Sequence, residues 1–125
     1  MELRGVVKVS LPGVELCFEN AWVNTGTGAI ATWLTGGSAN PPNKIVAVTS
    51  NPSTADIYDK TTEDVSGDAY VAQWKASFPA SGEISGITGF RLQYETSIYA
   101  TVGVSEFTKP DGVAMYVTWR TTIQP

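Results

Sequence analysis

GVAMYVTWRTTIQP, residues 112–125, decides how the chain is built. Val113, Met115, Val117, Trp119, Thr121 and Ile123 share one parity, and Ala114, Tyr116, Thr118, Arg120 and Thr122 share the other. A period of two is the signature of a strand with one largely apolar face. Pro125 donates no backbone hydrogen bond, so pairing is expected to stop around Gln124. Inside that stop the backbone needs partners, because an unpaired edge is a template for aggregation. The nearest candidate is IYATVGVS, residues 98–105, reached through a turn at Lys109-Pro110-Asp111-Gly112. A second strand is expected on the other edge, making the closing strand central and leaving residues 3–9 for an outer edge or for contact with a neighbouring subunit.

The same alternation appears elsewhere. LRGVVKVS (residues 3–10) and VELCFEN (14–20) flank Pro12-Gly13 and predict an N-terminal hairpin. Ile30, Trp33 and Leu34 stand at i, i+3 and i+4, with Thr25 or Thr27 as a cap and Gly36-Gly37 as a stop; this predicts one short helix near residues 28–35. KIVAVTS (44–50) is a short buried strand. Residues 51–68 read as a long acidic surface loop. In AYVAQWKASFP (69–79), Tyr70, Ala72, Trp74, Ala76 and Phe78 form one face, and Gln73, Lys75 and Ser77 the other. ITGFRLQY (87–94) follows a glycine-marked turn at residues 82–86. Seven to eight strands, one helix and no β-α-β alternation predict an all-β antiparallel β-sandwich. The 125 residues suffice for a core without staples and are expected to form a single domain, 1–125.

Charged residues make up 16%, against about 25% in ordinary soluble domains, so Thr, Ser, Gly and Ala fill much of the surface. Such a surface suits packing against other subunits. Eight basic against twelve acidic residues give a net charge of −4, with no basic run to meet nucleic-acid phosphates. No apolar run approaches the ~20 residues of a membrane span, and MELRGVVKVS has no signal-peptide core. Asn51-Pro52-Ser53 carries the proline that blocks glycosylation. The expectation is a protein made in a cytoplasm, with no nucleic-acid or membrane partner.

Histidine is absent, which excludes a Ser-His-Asp triad, a Cys-His pair and a histidine metal site. The lone Cys17 has no histidine to activate it and is expected to be a half-buried structural residue. Gly26 and Gly28 in TGTGAI precede the helix, but no third spaced glycine or lysine makes a phosphate loop. Asp56, Asp59, Glu63, Asp64 and Asp68 could offer oxygens to calcium, yet their spacing fits no EF-hand. Trp74 and Trp119 stand on apolar parities and belong to the core rather than to a sugar platform; Trp22 and Trp33 are the remaining tryptophans. No catalytic, cofactor or metal residue is expected, and the chain is expected not to be an enzyme.

Three segments, in order, resemble small β-sandwich structural proteins of tailed-bacteriophage virions: ENAWVNTGTGAIATWL (19–34), GEISGITGFRL (82–92) and FTKPDGVAMYVTWRTTI (107–123). Together they cover roughly half of the chain. One departure stands at Thr49-Ser50-Asn51-Pro52, where such proteins often carry a glycine-rich turn. The resemblance implies a virion component without catalytic activity. Small size, acidic balance and a weakly charged surface then suit a capsid decoration or cement subunit, with the major capsid protein or other virion proteins as partners and a homotrimer as the expected state. A tail, neck or fibre-attachment accessory is the alternative within the virion, and a carbohydrate-binding module for host glycans is the alternative outside it.

Overall fold

The computed structural model describes residues 2–22, 26–29, 32, 40–65 and 69–124. Eight strands follow in order: β1 Glu2–Leu11, β2 Val14–Trp22, β3 Lys44–Val48, β4 Ser53–Val65, β5 Ala69–Phe78, β6 Ile84–Tyr94, β7 Ser97–Lys109 and β8 Met115–Gln124. All ladders are antiparallel, and neighbours run β1-β2-β7-β6-β3-β4-β5-β8 and back to β1. The fold is all-β, an antiparallel eight-strand sheet nearly closed into a barrel. Helical conformation is present at residues 26–29 and at Thr32; the rest of the expected helix lies outside the described residues.

β8 has the expected faces but not the expected neighbour. Met115, Val117, Trp119, Thr121 and Ile123 point inward and are buried, while Tyr116 and Arg120 are exposed. It pairs with β1 on one edge, from Glu2↔Gln124 to Ser10↔Tyr116, and with β5 on the other. Residues 98–105 lie in β7, two strands away beyond β1 and β2. β1 is therefore interior to the sheet, not an outer edge. Alternation marks a strand and its faces but carries no information on which edge meets which, so the nearest strand in sequence was the wrong partner.

A second correction concerns residues 51–68. From Ser53 to Val65 the chain is strand β4, paired first with β3 and then with β5; residues 66–68 lie outside the described ones. An irregularity between Ile57 and Asp59 shifts the register, so the residues before and after it do not share one parity. That shift, in a sequence rich in Thr, Asp and Lys, hides the period of two.

The inward residues make one core in which Val7, Val9, Ile45, Trp74, Phe78, Phe90, Leu92, Met115, Val117 and Trp119 are all essentially closed to solvent. Trp119 of β8 lies opposite Trp74 of β5 and Val7 of β1. Pro12-Gly13 forms the expected two-residue hairpin turn, Gly13 having φ 77°. The β6–β7 turn is tighter to explain, because Glu95 has φ 50° without being glycine. Its conformation is fixed by neighbours: Glu95 N–H donates to Asn43 Oδ1 (3.0 Å), Asn43 Nδ2 donates to Glu95 Oε1 (3.0 Å), and Lys44 Nζ stands 3.4 Å from Glu95 Oε2.

Those contacts hold the Glu95 carboxyl below the usual carboxylate range, the Asn43 hydrogen bond being the largest cause and Lys44 the next. The folded pKa lies below the unfolded one, so the unfolded chain binds more protons in between. The contribution is present above the ordinary carboxylate pKa of 4.5 and is lost as pH falls through the lowered value. Glu95→Gln is expected to flatten the acid limb of a stability-versus-pH curve while leaving the neutral-to-alkaline limb parallel to wild type; urea melts across that range check it.

Candidate functional site

Most singled-out residues lie apart from one another. Cys17 is exposed on the outer face of β2, beside Lys8 in the register, rather than half-buried. Asp56 and Asp59 are on β4; the side chains of Glu63 and Asp64, and all of Asp68, lie outside the described residues. Among the described residues no three His, Cys, Asp or Glu side chains gather as metal ligands, and no helix is long and apolar enough to cross a membrane. Trp74 and Trp119 are in the core, Trp22 is half-buried, and Trp33 lies outside the described residues.

Gly26 is buried where the helical residues meet the barrel. A methyl group there would overlap the Tyr99 carbonyl oxygen and press on the Trp22 ring. The close approach serves packing of the β2–β3 connection on Tyr99, whose hydroxyl donates to Asn40 O at 2.7 Å. Gly26→Ala is expected to cost about 1–3 kcal/mol by overpacking, read from thermal or urea unfolding.

The feature with the greatest capacity for contact is a seam. β2 and β7 are register partners only at Ala21↔Thr101 and Trp22↔Ala100. Beyond these pairs, among the described residues, residues 14–20 and 102–108 have no ladder to each other. Each strand is paired on its far edge, β2 with β1 and β7 with β6, so beyond those two pairs the facing edges have no ladder partner among the described residues. Leu16 and Phe18 of β2, with Val104 and Phe107 of β7, sit half-buried against the core along this opening. Phe107 leans on Phe90, the ring centres being 6.2 Å apart. Glu15, Glu19 and Glu106 stand exposed on the same strands, which makes the rim acidic.

The neighbouring outer face is mixed. Val6 and Tyr116 are 44% and 50% exposed there, large for apolar side chains on a paired sheet. Val6 lies between Glu19 and Arg120 in the register, beside a basin of about 580 Å³ that Arg4 and Thr122 also line. Lys8 meets Glu15 at 3.0 Å; this hydrogen bond, with the attraction between the charges, raises the Lys8 pKa. Both are exposed, so the pair orders the rim without stabilising it much. The Thr49-Ser50-Asn51-Pro52 turn, with Glu83 and Ser85, borders a second groove of about 370 Å³.

At the same end of the barrel as this turn, two crossovers lie side by side: residues 79–83 between β5 and β6, and 110–114 between β7 and β8. Gly112 N–H donates to Ala80 O (2.7 Å), and Gly82 N–H donates to Asp111 Oδ1 (2.7 Å). Beneath them Lys109 is 1% exposed, its ammonium donating to the carbonyls of Val113 (2.7 Å), Pro110 (2.9 Å) and Ala80 (3.4 Å). Read as part of a turn, Lys109 gave no sign of this role in the sequence; only its place just before Pro110 in a closing motif set it apart.

No protein-family model, curated protein or solved structure matches the chain. Segments 19–34, 82–92 and 107–123 fall, as far as they are described, on the end of β2 with residues 26–29 and Thr32, on β6 with its entry, and on the end of β7 through β8.

Proposed function

We propose that the protein is a non-enzymatic structural subunit of a tailed-phage virion, a capsid decoration or cement protein seated on the major capsid protein. The observation that carries this is the open seam between β2 and β7. Two facing strand edges with half-buried apolar side chains behind them are a ready acceptor for an extended segment of a neighbouring subunit. Strand addition supplies affinity through main-chain hydrogen bonds and specificity through alternate side chains. The low share of charged residues and the exposed Val6 and Tyr116 fit a surface covered in an assembly. The barrel then works as a single domain, used as a homotrimer. Its place is the virion, after synthesis in the host cytoplasm.

Within the virion, a tail, neck or fibre-attachment role would use the same seam. A glycan-binding role fits the aromatic residues less well, because Trp74 and Trp119 are inside the barrel and a sugar platform would fall to Tyr58 and Tyr116. Deleting the gene separates these roles. A decoration protein predicts complete particles whose heads lose DNA at lower temperature, with density missing at symmetric positions on the capsid. Tailless or fibreless particles would move the protein to the tail. Particles of unchanged composition, density and stability would overturn the virion role.

A further inference from the structure

One level of the barrel interior is built from small side chains. Gly5 of β1, Thr121 of β8 and Ala72 of β5 are consecutive register partners, and Thr121 and Ala72 are buried. The adjoining level holds Val7, Trp119 and Trp74. Trp22 arrives from β2, three strands round the ring, and its ring centre lies 6.4 Å from that of Trp74 at 57°. Barrels commonly alternate small and large inner residues to fit their taper, so this pattern alone marks no site.

The polar atoms do. Nε1 of Trp22, Trp74 and Trp119 and Oγ1 of Thr121 are all shut off from solvent, and none has a hydrogen-bond partner among the described residues. Trp74, Trp119 and Thr121 are themselves at most 1% exposed. A buried polar group left without a partner costs about 1–3 kcal/mol, and native proteins hold only a few per hundred residues. Here four fall on side chains that are neighbours in register or in ring contact. Three are indole N–H groups, which donate and never accept; the fourth is a hydroxyl that can do either.

We infer that the Thr121 level of the barrel is a binding niche for a small uncharged guest that accepts hydrogen bonds. The donor excess requires hydrogen-bond acceptors on the guest. The four side chains carry no charge, and an ion desolvated among indole rings would be strongly disfavoured. Water and a small organic molecule with carbonyl, ether or hydroxyl oxygens share this chemistry. Buried waters with two to four polar partners are a regular part of folded proteins.

Two measurements on the purified full chain test the niche. In the first, Thr121→Val removes the hydroxyl while keeping shape. With a guest bonded to it, the folded-to-unfolded ratio is expected to fall roughly three- to tenfold. With a dry niche the ratio rises, because an unpaired hydroxyl has been replaced by a methyl. In the second, indole N–H protons are observed by nuclear magnetic resonance in ordinary water. The expected result is transfer from a bound, slowly exchanging water to the Trp74 and Trp119 indoles, or, for an organic guest, a small molecule released on denaturation and detected by mass spectrometry. Indole protons without contact to water or a released molecule, together with a stabilised Thr121→Val, overturn the proposal.

Discussion

Trp119→Ala is expected to lower the unfolding free energy by about 3–5 kcal/mol, among the largest single losses available to this chain. The indole is fully buried at the centre of β8, with Trp74 opposite on one side and Val7 on the other. Truncation opens a cavity between two strands that are both paired on their far edges as well, so the walls have little freedom to collapse. Arg120, the next residue, is exposed and donates to Gln73 Oε1 at 3.4 Å. Its alanine variant is expected within about 0.5 kcal/mol of wild type. Urea melts of the two variants check the assignment, and a larger loss at Arg120 would invert the faces of β8.

Lys109→Met is expected to cost on the order of 3 kcal/mol. The ammonium lies under two crossovers and bonds three carbonyls, from Ala80, Pro110 and Val113. A hydrogen bond to a charged group contributes about 1.5–3 kcal/mol, and stranding the carbonyls adds their desolvation. Lys109→Arg is not expected to rescue it, since a planar fork cannot converge on three carbonyls as a rotating ammonium does. Thermal unfolding gives the magnitude. Hydrogen exchange gives the place: the Gly112 and Gly82 amides, bonded to Ala80 O and Asp111 Oδ1, should be among those most accelerated. A wild-type melting curve for Lys109→Met would remove the clamp from the account.

Much of the strand content was legible because the barrel interior demands it. In β8 and β5 every described inward side chain is buried, and although Val71 on the other parity of β5 is buried too, Met115, Val117, Trp119, Trp74, Ala76 and Phe78 announce their face. Pro12-Gly13 likewise has one plausible use between two alternating runs. β4 was not legible, because its register shifts at Ile57/Asp59 and its sequence is polar enough to pass for a loop. Strand partners were not legible either. Closing a barrel with three crossovers depends on which edges meet, and those edges are backbone, identical for every residue but proline. Lys109 was hidden for a related reason: its partners are carbonyls that only the crossover geometry brings together. Of the candidate surface, the low charge was visible in composition, whereas the seam is a divergence of two strands that side chains do not spell out.

Hydrogen exchange on the free protein and on the same protein in purified virions tests the assembly account most directly. In the free protein the amides of residues 14–20 that point away from β1, and those of residues 102–108 that point away from β6, are expected to exchange fast. Met115, Val117 and Trp119, between two ladders, are expected to be among the slowest. In the particle the seam amides should slow by orders of magnitude as a neighbouring strand pairs with them, while β8 stays as it was. Seam amides already as slow as those of β8 in the free protein, or unchanged in the particle, would contradict assembly through this edge.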